Sequence, residues 1–110
     1  MRLDNIAAGV TDWSCVPESA HQDASGTVRA RTVPFGEIQL RLIEFSTDYV
    51  AQEWCSKGHI VFVVTGELTI EHQNGQRYAL GPGMSYQVGD NGGPPHRVRS
   101  QSGARVFVVD

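Results

Sequence analysis

His59-Ile60-Val61-Phe62-Val63-Val64-Thr65-Gly66-Glu67-Leu68-Thr69-Ile70-Glu71-His72-Gln73-Asn74-Gly75-Gln76-Arg77-Tyr78-Ala79-Leu80-Gly81-Pro82-Gly83 sets the fold class. It holds three short runs rich in β-branched and aromatic residues, parted by Gly66, Asn74-Gly75 and Gly81-Pro82-Gly83, and none is long enough for a helix. Asn74-Gly75 is a hairpin signal, because both central residues of a type I′ turn need positive φ and these two types tolerate it. The same rhythm continues outward, with strands expected over Thr27 to Val33, Glu37 to Phe45, Tyr49 to Cys55, Met84 to Val88, Arg97 to Ser100 and Ala104 to Val109. In Glu37 to Phe45, Ile38, Leu40 and Leu42 alternate with Glu37, Gln39 and Arg41, so the first three are expected to face the core. Eight or so antiparallel strands without helical periodicity point to an all-β barrel or jelly roll, whose lumen is where chemistry should be sought.

The chain has 110 residues, room for one domain. Residues 1–26 show no periodicity and are expected to be an irregular arm anchored by Trp13, leading into a barrel over residues 27–110. A net charge of −3 gives no electrostatic reason to expect nucleic acid. The longest apolar run, Ile60 to Val64, is far too short to span a bilayer, so no membrane partner is expected. The opening Met1-Arg2-Leu3-Asp4-Asn5 lacks an export pattern, and the two cysteines, Cys15 and Cys55, are expected to stay reduced in the cytoplasm.

Glu53 and Cys55 lie two apart and would share one face of a strand. Ser56-Lys57-Gly58 can then bend the chain back to His59, while the loop Gly89 to Pro95 delivers His96. A carboxylate, a thiol and two imidazoles can therefore converge in the lumen as metal ligands. This mixed donor set suits zinc first, with nickel, iron or copper as alternatives. Arg41 and Gln39 are expected to face the lumen, where they could orient a substrate carboxylate, with Tyr86 on the wall beside them. His21 and His72 are expected to face solvent. There is no phosphate loop, nucleophile elbow or paired acidic dyad.

These residues make the chain similar to small single-domain members of the cupin superfamily. Glu53, Cys55, His59 and Gly66 have the spacing of the first cupin motif, although their types differ from its usual two histidines and glutamate. Pro82-Gly83, followed by Met84 to Val88 and Pro95-His96, resembles the second motif, with His96 in the place of its ligand histidine. More narrowly, Gln52-Glu53-Trp54-Cys55-Ser56-Lys57-Gly58-His59 and the ending Gly103 to Asp110 resemble the DHCW-motif cupin-fold proteins, with Glu53 where those offer a histidine. The resemblance implies a cupin-type jelly-roll β-barrel, and it implies a fold rather than a reaction.

Two expectations follow. One is a cupin in which Glu53, His59, His96 and Cys55 hold a divalent metal beside a small polar molecule, with any enzymatic reaction left open. The other is a metal-free, non-catalytic module that binds a small ligand or serves a structural or sensory role. A homodimer is expected in either case, because the arm around Trp13 can extend a neighbour's sheet and one face of Glu37 to Phe45 needs cover.

Overall fold

The computed structural model describes residues 3–110; Met1 and Arg2, the first residues of the expected arm, lie outside them. Ten strands form: β1 (Glu18–Gln22), β2 (Thr27–Phe35), β3 (Ile38–Phe45), β4 (Tyr49–Val50), β5 (His59–Gly66), β6 (Leu68–His72), β7 (Arg77–Leu80), β8 (Ser85–Val88), β9 (His96–Ser100) and β10 (Ala104–Val109). They make a six-stranded sheet in the order β1-β2-β3-β10-β5-β8 and a four-stranded sheet in the order β4-β9-β6-β7, with every pairing antiparallel. The all-β jelly roll expected from the sequence is met. Among the described residues the one helical element is a single 3-10 turn, Trp13–Cys15, and no helix is long and apolar enough to cross a membrane.

The sheets face each other across Val63, Leu68 and Val106, all at 0% exposure, with Ile70, Val61, Ile43 and Val108 beside them. Each such side chain contributes about 1.5–3 kcal/mol through burial. The chain passes between sheets at Gly66, which ends β5 just before Leu68 starts β6 in the other sheet. There Glu67 turns its carboxylate onto the β9–β10 turn, accepting the backbone N–H of Gln101 at 2.6 Å and of Ser102 at 2.9 Å.

Four local expectations are corrected. Glu18 to Gln22, read as irregular, forms β1 against β2 of the same chain. All five of its residues are exposed, so no apolar alternation marks it; the ladder and the pairing of Glu18 with Arg29 at 3.1 Å and Arg31 at 3.6 Å hold it. The inward face of β3 carries Arg41, Ile43 and Phe45, not Ile38, Leu40 and Leu42. Both faces of β3 are apolar, and a one-residue shift in reading exchanges them. Ile38 and Leu40 lie outside, under the arm, where Trp13 packs edge-on against Phe107 with centroids 5.9 Å apart. The strand expected over Tyr49 to Cys55 ends at Val50. The Asn74-Gly75 hairpin forms, but only Gly75 has positive φ (93°), and Gly75 N donates to His72 O at 2.9 Å. It is thus a three-residue loop with glycine at the left-handed position rather than a type I′ turn.

Candidate metal centre

The registers of β3, β5, β6, β9 and β10 place their polar inward residues at one end of the barrel. His96 stands opposite His72, with Val98 opposite Ile70 one step further in. Val61 stands opposite Val108, which puts His59 and Asp110 together at the strand ends. Arg41 faces Val108, and Ile43 faces Val106 behind it. The result is a cavity of about 350 Å³ with an apolar interior and a titratable rim.

At that rim the donor atoms of Cys55, His59 and His96 all lie within 4.8 Å of one another. Cys55 lies outside any named strand, but its backbone makes a two-bond bridge with His96: Cys55 N donates to His96 O at 2.8 Å, and His96 N to Cys55 O at 2.9 Å. This bridge ties the thiol to the second histidine. Cys55 Sγ is 3.7 Å from His59 Nε2, and the His59 and His96 rings stand at 87° with centroids 5.0 Å apart. On its other side, His59 Nδ1 meets Asp110 Oδ2 at 3.3 Å. That contact favours a proton on Nδ1 and turns the Nε2 lone pair toward the cluster, as second-sphere carboxylates do for ligand histidines. His96 is 4% exposed, and its Nε2 is buried without a hydrogen-bond partner.

A tetrahedral zinc ion at about 2.0–2.3 Å from its donors holds them about 3.5 Å apart, close to the Cys55–His59 separation. The three residues therefore fit such an ion, with the remaining donor separations, all within 4.8 Å, closing slightly around it.

Burial holds the His59 imidazole below its usual pKa, reinforced by the charges of Lys57 and Arg41 and only partly offset by Asp110. Burial does the same for His96, with His59 and His72 adding to it. The surroundings thus favour the neutral form of both rings, the form that metal ligation requires. Because the folded state resists their protonation, the unfolded chain takes up protons first as pH falls through the ordinary histidine value of 6.5. Metal-free protein should melt progressively lower from pH 7.5 to 5.5, and His96→Gln should lessen the drop; a melting temperature flat across that range would contradict the assignment.

Of the residues expected in the site, Cys55, His59 and His96 come together and Glu53 does not join them. Glu53 lines the cavity but is exposed, because the chain leaves the sheet after Val50 and strand alternation no longer governs where its side chain goes. Arg41 and Tyr86 line the cavity. Gln39 is not among the lining residues; its backbone pairs with that of Asp110, Asp110 N donating to Gln39 O at 3.0 Å. Trp54 lies under the Arg97 guanidinium, 4.2 Å from ring centroid to Cζ.

Two residues in contact with the rim were not anticipated. His72, expected in solvent, is half-buried and its Nε2 is 2.8 Å from the Tyr86 hydroxyl, whose pKa burial and Tyr78 raise. Asp110 has a side chain only 3% exposed. Period-two counting would have found both: Leu68, Ile70, His72 and Val106, Val108, Asp110 are inward series. His21 is exposed, as expected, and also lines the cavity.

No family model matches the sequence, and no curated protein does. Solved structures do match. Ectoine synthase from P. lautus is 20% identical, with 93% of this chain and 76% of that one covered at a TM-score of 0.72. Fe(II)-HppE with an alternative substrate is 15% identical, covering 99% of this chain and 62% of that one at 0.75. A cupin-2 domain containing protein from Shewanella frigidimarina is 17% identical, covering 82% of each chain at 0.60. At such identities the likeness is one of fold.

Proposed function

The chain has the cupin fold, and on that premise we propose that it holds one divalent metal ion at the barrel rim, bound by Cys55, His59 and His96, and presents it to a small molecule in the cavity. One observation carries this reading: three residues of types that bind transition metals converge, and one of them, His96, keeps a buried ring nitrogen with no partner. Such a nitrogen is costly unless something occupies it. The N₂S donor set favours zinc, with nickel, iron and copper as the other candidates. An ion there would supply Lewis acidity or, for iron or copper, a redox centre. A neighbour in fold, Fe(II)-HppE, carries a divalent metal, which supports the choice of one here. Asp110 positions His59, and Arg41 and Tyr86 are the groups that would meet the bound molecule. A reducing, cytoplasmic setting belongs to this reading, since Cys55 must stay a thiol; Cys15 and Cys55 are both free.

Elemental analysis of protein purified without added metal should find close to one ion per chain. Zinc added to stripped protein at a hundredfold excess over its dissociation constant should stabilise it by about 2.7 kcal/mol, a rise in melting temperature of about 12 °C. No metal in the purified protein, together with no rise on adding zinc, nickel, iron or copper, would favour the metal-free module instead.

The same reading includes a homodimer. The outward side chains of β5, Ile60, Phe62 and Val64, are 41–43% exposed, and Phe107 and Val109 of β10 flank them in register. The strip carries no charge, so the surface it suits best is a second copy of itself about a two-fold axis. Sedimentation should give a dimer for the parent and a folded monomer for Phe62→Glu; a monomeric parent would refute this.

A further inference from the structure

We propose that the cavity takes an amphipathic monoanion, a small carboxylate with an apolar tail, its head held by Arg41 and its tail lying against Ile43, Phe45, Leu68, Ile70 and Val98. The inference rests on the reading that the cavity holds a ligand, and it narrows that ligand's class. Behind the rim, the walls given by β3, β6 and β9 are hydrocarbon. The hydroxyl that lines that end is already committed: Tyr49 Oη donates to Asp23 Oδ2 at 2.5 Å. A molecule polar along its whole length would leave its inner groups unpaired there, so its polarity must be confined to one end.

At the rim, the Arg41 side chain makes no hydrogen bond with any described residue. Its Nε is buried without a partner, and its one ion pair, Nη1 to Asp110 Oδ2, spans 3.9 Å, because that carboxylate oxygen lies nearer His59. Its planar fork of donors is therefore free to take a carboxylate in two-point fashion. The charge balance agrees. With a divalent ion bound and Cys55 as thiolate, Arg41 and Arg97 cancel Glu53 and Asp110 and one positive charge remains, which a monoanion neutralises. A cavity of about 350 Å³ lies at the small end of ligand sites.

Calorimetric titration of hexanoate, its neutral counterpart hexanamide, and tail-less acetate into EDTA-treated and zinc-loaded protein tests this. Hexanoate should bind in both states, with hexanamide and acetate each at least ~10-fold weaker. Arg41→Met should lose that tenfold for hexanoate and leave hexanamide unchanged, and Arg41→Lys, which keeps the charge, should fall between if the methionine variant does not fold. Absence of hexanoate binding, equal affinity for hexanamide or acetate, or full affinity in a folded Arg41→Met would overturn the proposal. Metal content measured on the same samples reports on the metal reading separately, since a chain that takes no zinc can still bind hexanoate through Arg41.

Discussion

His96→Ala is expected to yield a folded protein that purifies without metal and whose melting temperature no longer responds to zinc. Three protein donors are the usual minimum for a zinc site with an open position. The alanine removes the most deeply buried donor of the three while leaving Cys55 and the Asp110-oriented His59 in place. Altering a second-sphere partner alone typically costs 10–100-fold in affinity, so losing a ligand should exceed about 100-fold. Asp110→Asn should fall within the second-sphere range, because the amide still reaches His59 but carries no charge. Glu53→Gln should bind metal as the parent does, since Glu53 stands outside the donor cluster. The ordering of these three variants is the check: a Glu53→Gln protein that loses metal while His96→Ala keeps it would sink the assignment of Cys55, His59 and His96.

The second large effect is expected far from any ligand. Gly66→Ala should lower the melting temperature by about 15 °C or prevent folding. Gly66 has φ +80°, a conformation that costs an alanine about 1–2 kcal/mol. Its new Cβ would also sit 2.1 Å from the carbonyl oxygen of Gly103 and 2.8 Å from Ala104 Cα. Both are backbone atoms in a β-turn already fixed by Glu67, so they cannot yield cheaply, and overpacking adds about 1–3 kcal/mol. The total of roughly 3 kcal/mol is a large part of the 5–15 kcal/mol that holds a small domain together. Gly75→Ala is the internal control: its φ is +93°, but nothing lies within 4 Å of the added carbon, so only the backbone term applies. Circular-dichroism melts should rank Gly66→Ala well below Gly75→Ala; equal melting temperatures would mean that the Gly66–Gly103 approach does not constrain the crossing between sheets.

The fold was legible because glycine, proline and asparagine mark its corners and the runs between them carry the period and residue types of strands. That Cys55, His59 and His96 would come together was legible for a simpler reason, since histidine and cysteine at motif spacing belong to few alternatives. Glu53 stands apart from them because the ladder ends at Val50, beyond which strand alternation no longer applies. β1 was missed because an edge strand with both faces in water has no hydrophobic pattern to detect. His72 and Asp110 were overlooked although their period-two neighbours marked them, because each sits at the far end of its strand, beside a turn or at the last residue, where alternation is readily taken to have lapsed.

Local chemistry, written in consecutive residues, was enough to specify most strands, the corners between them and the convergence of Cys55, His59 and His96. Which of two apolar faces of β3 turns inward, whether Arg41 lines the cavity with its donors free, and how His59 acquires Asp110 as its partner are settled by pairing between residues far apart in the chain. His59 and Asp110 are separated by 51 positions yet lie 3.3 Å apart because β5 and β10 run antiparallel in register. Such registers are chosen by the packing of the whole core, and no short window of sequence contains that information.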